Sequence, residues 1–386
     1  MRITFLMPGY QWVPSGGFKV VYEYANRLVD RGHDVAVVHP RRLLHTELSE
    51  PLTLRSRLRK TFDRLINVPF VPSIKWHTVD KRVRLLYVPS SDPRYIPDGD
   101  AVIASAWQTV KDVLLCPDSK GDKFNLIQGY GNLLGPIDVI NETWRMPLHR
   151  IVVSRWLLKV GKELGCKDLT YIPNAIDHEQ YRLTQPIKGR PRQVAMLFSR
   201  SPVKGSADGI KALTIAKHRN PDLKVALFGV SRQQSGIPKW MKYHRNPLQS
   251  LLVNDIYNRS AIFLSSSLSE GFALPPAEAA VCGCAVVATD SGGIRDFIEH
   301  NVTGLLSRPG RPDELAKNLC TLLDNDDLRV QLAIECNKKL SSVTWNRSSD
   351  LLEQLIANAR ELKRSKMMRP QFDILEETPH VCSISG

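Results

Sequence analysis

At 386 residues, with 42% hydrophobic and 24% charged side chains, the chain is too long for a single core and too apolar for a disordered or fibrous protein, so two globular domains are expected. A formal net charge of +14 calls for an anionic partner, and charge alone leaves nucleic acid, a membrane surface and a phosphorylated small molecule open. Seven scattered cysteines without CxxC spacing argue against a zinc site or a disulfide framework; the N-terminal run MRITFLMPGYQWV is broken at Pro8 and Gly9, no stretch reaches membrane-spanning length, and a cytoplasmic protein is expected.

In chain order, Ile3 to Met7 reads as a strand, Phe18 to Arg31 as a helix with Val21, Tyr24, Ala25 and Leu28 on one face, and Val35 to Val38 as a second strand. The loop PGYQWVPSGG feeds that helix, whose N-terminal amides and dipole offer an anion or hydroxyl site. No G-x-G-x-x-G follows the first strand and no P-loop motif occurs; GYGNLLG at Gly129 to Gly135 has the wrong spacing, so hydride transfer and P-loop chemistry are disfavoured. Further strands are expected at Leu85 to Val88, Ala101 to Ala104, Asn125 to Gln128 and Arg150 to Val153, with Ser154 capping a helix that starts at Trp156.

The proline-bearing YIPNAIDHEQY, Tyr171 to Tyr181, reads as an interdomain connector. A second series follows, with strands at Val194 to Phe198, Val225 to Phe228, Ile262 to Leu264 and Val286 to Ala288 alternating with helices, the last ending near Leu362. The expected fold is α/β, two doubly wound parallel sheets facing one another. The division expected is 1–170 with a returning helix at about 346–366, then 171–345, then a tail at 367–386.

Ligands in such sheets sit at the carboxyl ends of strands. Arg200 and Lys204 leave the strand ending at Phe198 together and could clamp a diphosphate, although two solvated surface cations would read the same. SEGFALPPAE, Ser269 to Glu278, follows the strand ending at Leu264. Its prolines suit the first turn of a helix starting at Pro276, which would place Glu278 in that turn, while Glu270 precedes the Gly271 turn. Carboxylates accept two hydrogen bonds, as vicinal sugar diols require, but a helix-start acid complementing the dipole gives the same spacing.

SEGFALPPAEAAVCGCAVVATDSGGIRDFIEHNVTGLL resembles the donor-site signature of the family-four retaining glycosyltransferases, which have the GT-B fold; FSRSPVKG resembles their phosphate-binding motif, YIPNAID their connector, and PSGGFKVVYEYANRLVDRGHDVAVV their first βα unit. The likeness covers most of the chain and weakens between Arg41 and Arg84. It implies a hexosyl transfer from a nucleotide sugar to a saccharide or lipid-linked acceptor, in surface polysaccharide or glycolipid synthesis, without nucleic acid. Glu278 would then bind ribose hydroxyls; Glu270 with Gly271, Phe272, Ala273 and Leu274 would hold the donor sugar; Arg200 and Lys204 would bind the diphosphate, which Gly17 would approach from the other domain.

The pattern departs from the family at Ala273, at Ala175 after Asn174, and at Asp296, and no histidine matches the family's N-domain position. Trp107, Gln108 and Gln128, at or beyond strand ends, stand as acceptor-side candidates. Paired cations and helix ends could stabilise the leaving group by themselves, so transfer without a metal or other cofactor is expected. A nucleotide-sugar 2-epimerase, a sugar-phosphate synthase and a basic nucleic-acid or membrane-binding protein are the rival readings. Within 54–66, Leu54, Leu58, Phe62, Leu65 and Ile66 recur at helical spacing among Arg55, Arg57, Arg59, Lys60 and Arg64, the profile of a helix lying on the anionic inner face of a membrane.

Overall fold

The computed structural model describes residues 1–45, 74–232 and 236–368; the basic stretch 54–66 and most of the tail fall outside them. The first half runs β1 (Arg2–Leu6), α1 (Gly16–Asp30), β2 (Asp34–Pro40), β3 (Arg84–Val88), β4 (Ala101–Ala104), α2 (Val110–Leu114), β5 (Asp122–Ile127), α3 (Ile137–Arg145), β6 (His149–Val152), α4 (Arg155–Glu163) and β7 (Leu169–Tyr171). The second runs β8 (Gln193–Leu197), α5 (Ser206–Arg219), β9 (Lys224–Gly229), β10 (Lys242–Arg245), α6 (Gln249–Leu251, continued as a π-helix over Leu252–Tyr257), β11 (Ile262–Ser265), α7 (Leu274–Val281), β12 (Ala285–Thr289), β13 (Leu305–Ser307), α8 (Pro312–Asp324), α9 (Asp326–Leu340) and α10 (Trp345–Met368).

Seven parallel strands pair in the order β3-β2-β1-β4-β5-β6-β7 and six in the order β10-β9-β8-β11-β12-β13. Helices cover both faces of such sheets, which is why central strands such as ITFL and AVVAT are apolar throughout rather than alternating. The expected helical face of α1 is buried, Val21, Tyr24, Ala25 and Leu28 included.

The strand order reverses direction where β1 and β4 lie side by side, and again where β8 and β11 do, so each sheet opens a crevice at its carboxyl edge. These edges face each other: a Cβ on Gly271, after β11, would fall 2.0 Å from the carbonyl oxygen of Gln128, just beyond β5, and Ser269 Oγ donates to the Tyr130 carbonyl at 3.1 Å. Asp296 accepts from the Arg155 N–H at 3.1 Å, at the start of α4, and from Tyr171 Oη at 2.9 Å. A carboxylate at that helix start complements its dipole. The final helix, α10, crosses back to the first sheet's layer, where Trp345 meets Tyr24 edge to face and Arg31 pairs with Asp350 at 2.7 Å.

Candidate functional site between the two sheets

The SEGFALPPAE segment departs from its sequence reading in one respect. Its helix, α7, starts at Leu274 rather than Pro276, so Glu278 lies in the second turn and not the first. The start is set by Ala273, which adopts a left-handed φ of 73° and turns the chain before Pro275 and Pro276 take up helical φ. Starting the helix two residues earlier takes Glu278 from the helix mouth into the domain boundary, where it is 5% exposed.

There it meets a residue the sequence reading overlooked. Lys19, one turn into α1, donates to Glu278 Oε1 at 2.7 Å and to Tyr181 Oη at 2.9 Å, while Tyr257 Oη approaches Glu278 Oε2 at 3.5 Å. Burial opposes the ammonium charge, but the Glu278 carboxylate and Tyr181 outweigh it and hold Lys19 above its ordinary range. Burial and the same carboxylate push both phenols up, so they remain donors. The signal for Lys19 was present: α1 opens with Gly16 and Gly17, and a cation one turn later on the cleft end of that helix faces the second domain. Its partner, however, is 259 residues away, and no local pattern reports that.

Glu270 sits at the other end of the segment, its backbone held against Gly292 by a parallel bridge and an N–H bond to the Ser291 carbonyl at 2.8 Å. Its Oε1 accepts from Lys204 Nζ at 2.6 Å. Lys204 ends a single 3-10 turn, Pro202–Lys204, followed by Gly205 at φ 54°; a Cβ there would lie 2.1 Å from the Ser266 carbonyl, so only glycine lets the cation-bearing loop lie on the loop after β11. Arg200 leaves the same strand end and is exposed.

Between the two acids, Phe272, Ala273 and Leu274 are buried, Phe272 against Phe297. None of the N–H groups of Gly271, Phe272, Ala273 and Leu274 donates a hydrogen bond among the described residues, and the same holds for Gly16, Gly17 and Phe18 at the start of α1. Two helix starts with open donors and no side-chain cap therefore meet in the cleft, an arrangement suited to anions and hydroxyls.

On the first domain's side, Gly17, Trp107, Gln108 and Gln128 line one cavity of about 270 Å³, so these four candidates are brought together. Gln128 Nε2 donates to the carbonyls of Gly17 and Ser105, at 3.2 and 3.0 Å. Two carbonyl partners fix the amide's orientation and leave its oxygen as the group offered to a ligand.

Residues 177–339 match the family model described as "Glycosyl transferases group 1". The chain is similar to the D-inositol 3-phosphate glycosyltransferase of Nocardiopsis dassonvillei, 31% identical over 25% of this chain and 23% of that protein. Its counterpart in Corynebacterium glutamicum is 26% identical over 45% and 41%. The chain thus spans less than half the length of these relatives. Among solved structures, sucrose-phosphate synthase from Thermosynechococcus elongatus superposes with a TM-score of 0.70 at 15% identity, covering 94% of this chain and 99% of that one. S. aureus TarM, solved with UDP, alpha-GlcNAc-glycerol and fondaparinux, gives 0.69 at 11% identity, covering 92% and 99%. Anabaena HepE in complex with UDP-glucose gives 0.67 at 16%, covering 94% and 100%. At these identities the likeness establishes the two-domain GT-B fold.

Proposed function

We propose that the protein is a retaining glycosyltransferase that moves a hexosyl group from a nucleotide sugar to a saccharide or lipid-linked acceptor. The observation that carries this reading is the single segment from Glu270 to Glu278: two carboxylates, each already held by a lysine, stand at the ends of a loop with open amides, opposite the open start of α1. One extended ligand accounts for all of it. Glu278 accepts ribose hydroxyls, the loop amides and Glu270 hold the donor sugar, and Lys204 with Arg200 neutralises the diphosphate as it departs.

Charge building on the leaving diphosphate is the chief electrostatic demand of such a transfer, and fixed cations and helix starts meet it without reorganising. In the retaining course proposed, the acceptor hydroxyl enters from the cavity side, oriented by the Gln128 amide oxygen, and its proton passes to the departing phosphate. The similar proteins include glycosyltransferases and structures solved with UDP or UDP-glucose, which supports this reading.

Thermal stabilisation by a panel of nucleoside diphosphates tests the donor half, since a ligand at a hundred times its dissociation constant adds roughly 2.7 kcal/mol. NMR of the product's anomeric configuration tests retention. No stabilisation by any member of the panel would remove the nucleotide from the proposal.

A further inference from the structure

The sheet order sets β3, β2, β1, β4 and β5 side by side. Along their carboxyl edge stand Tyr87 on β3, His39 on β2, Tyr10 just past β1, and then the cavity of Trp107 and Gln128 beyond β4 and β5. The loop carrying Tyr10 and Trp12 meets that cavity at both of its ends, where Pro8 and Ser15 line it, and the two rings stand just outside the lining.

Tyr10 is fixed by three edge-to-face contacts, with ring centroids 4.7 Å from Trp12, 5.7 Å from His39 and 6.3 Å from Tyr87. The loop beneath is pinned as well: His39 Nδ1 bonds to the Gly9 carbonyl at 2.8 Å, and Trp76 Nε1–H donates to the Gln11 carbonyl at 3.0 Å. Burial pulls His39 down to about 4, against the Gly9 bond, so its ring is uncharged near neutrality. Trp12, outermost, is 68% exposed. A lone exposed tryptophan is ordinary. One held on a rigid aromatic base beside an uncharged polar cavity is a built surface.

A pyranose has a polar rim and apolar C–H faces, and flat aromatic rings at the edge of a polar cleft match those faces. A phosphorylated small acceptor would call for a cation, whereas the described residues lining the cavity are amides, hydroxyls, backbone and apolar groups without a charge. We infer that Tyr10 and Trp12 form a second saccharide subsite, which holds the sugar preceding the one that reacts, so that the acceptor is a chain of at least two sugars whose reacting end is neutral. This rests on the proposed transfer to a saccharide.

Neutral oligosaccharides of glucose, mannose, N-acetylglucosamine and rhamnose, one to six units long, are titrated by calorimetry and saturation-transfer NMR into the parent, Trp12→Ala and Trp12→Phe. Nucleoside diphosphate binding is measured separately on all three. In at least one series, affinity rises about tenfold between one and three sugars in the parent, the rise is lost in Trp12→Ala and kept in Trp12→Phe, and nucleotide affinity is the same throughout. A length-dependent rise that survives Trp12→Ala, or no such rise in any series, overturns the subsite. Failure of the parent to bind any nucleoside diphosphate instead overturns the donor reading, and the sugar titrations still decide the subsite.

Discussion

Replacing Lys19 with methionine removes the cation that joins the two domains at Glu278 while keeping most of the side chain's bulk. At 2.7 Å and an effective dielectric of about 20, the Lys19–Glu278 attraction is on the order of 6 kcal/mol, much of it offset by the desolvation of both groups. Removing one partner leaves the other buried and uncompensated, at a cost of about 3 to 5 kcal/mol. With side chains 14% and 7% exposed, the lower figure applies, about 3 kcal/mol, or roughly 4 °C in calorimetric melting temperature for a chain of this size. Glu278→Gln strands the lysine in the same way. The double variant strands neither charge, so it recovers about 2 kcal/mol relative to the sum of the single losses. Lys19 titrates above its ordinary 10.5 in the folded protein, so its contribution is fully present below about pH 10 and is lost only as the pH rises through the folded value. Strictly additive losses in the four-member cycle, or a melting temperature unchanged in Lys19→Met, would refute an energetically coupled interdomain pair.

Arg200→Ala and Lys204→Ala are each expected to lower turnover by about a hundredfold or more with folding retained; activity within threefold of the parent in both removes the diphosphate clamp. Gly271→Ala places a Cβ 2.0 Å from the Gln128 carbonyl oxygen, so it should force the domains apart, raising the radius of gyration in small-angle scattering and abolishing transfer. An unchanged radius and rate would show that the loops yield instead. His39 is held at about 4 by burial against 6.5 when unfolded, so the folded state binds fewer protons between these values and stability is lost as pH falls through that window. His39→Gln should flatten this acid limb in urea titrations, and an equally steep limb would count against it.

The fold was legible because a buried parallel strand is apolar along its whole length and α1 carries a clean helical stripe; both are local patterns. The strands missed were β7, β10 and β13: two have three residues, and KYHR of β10 is a polar edge strand, so none contains enough apolar positions to show a period. The helix start at Leu274 was misplaced because a non-glycine residue, Ala273, makes the left-handed turn that sets it. Glu270 and Lys204 were found separately, on the loops after β11 and β8, and their pairing follows from the adjacency of those two strands. Lys19 and Tyr181 were missed, because they belong to the site only through the approach of two domains, and sequence spacing carries no record of that approach.

That Lys204 is paired with Glu270 changes what each acid should do when replaced. Lys204 Nζ donates to Glu270 Oε1 at 2.6 Å, with side chains 26% and 14% exposed, so in the proposed transfer a diphosphate arriving at Lys204 would compete with that carboxylate. In the proposed reading the donor sugar would offset that competition by offering Glu270 a hydroxyl, and a nucleoside diphosphate without its sugar would not. Glu270→Gln should therefore tighten binding of the sugar-free nucleotide by about 1 kcal/mol, the scale of a partly exposed ion pair, or roughly fivefold. The same substitution weakens the hold on the donor sugar, and turnover of the nucleotide sugar should fall by about a hundredfold. Glu278→Gln should act oppositely on the first quantity, losing about 1.5 to 3 kcal/mol of nucleotide affinity as a charged acceptor for ribose disappears. Calorimetry on both variants separates the roles, because the two effects on the same ligand differ in sign. Equal losses of nucleotide affinity in Glu270→Gln and Glu278→Gln would show that both acids bind the same part of the donor, and the division of the segment into a sugar end and a ribose end would fall.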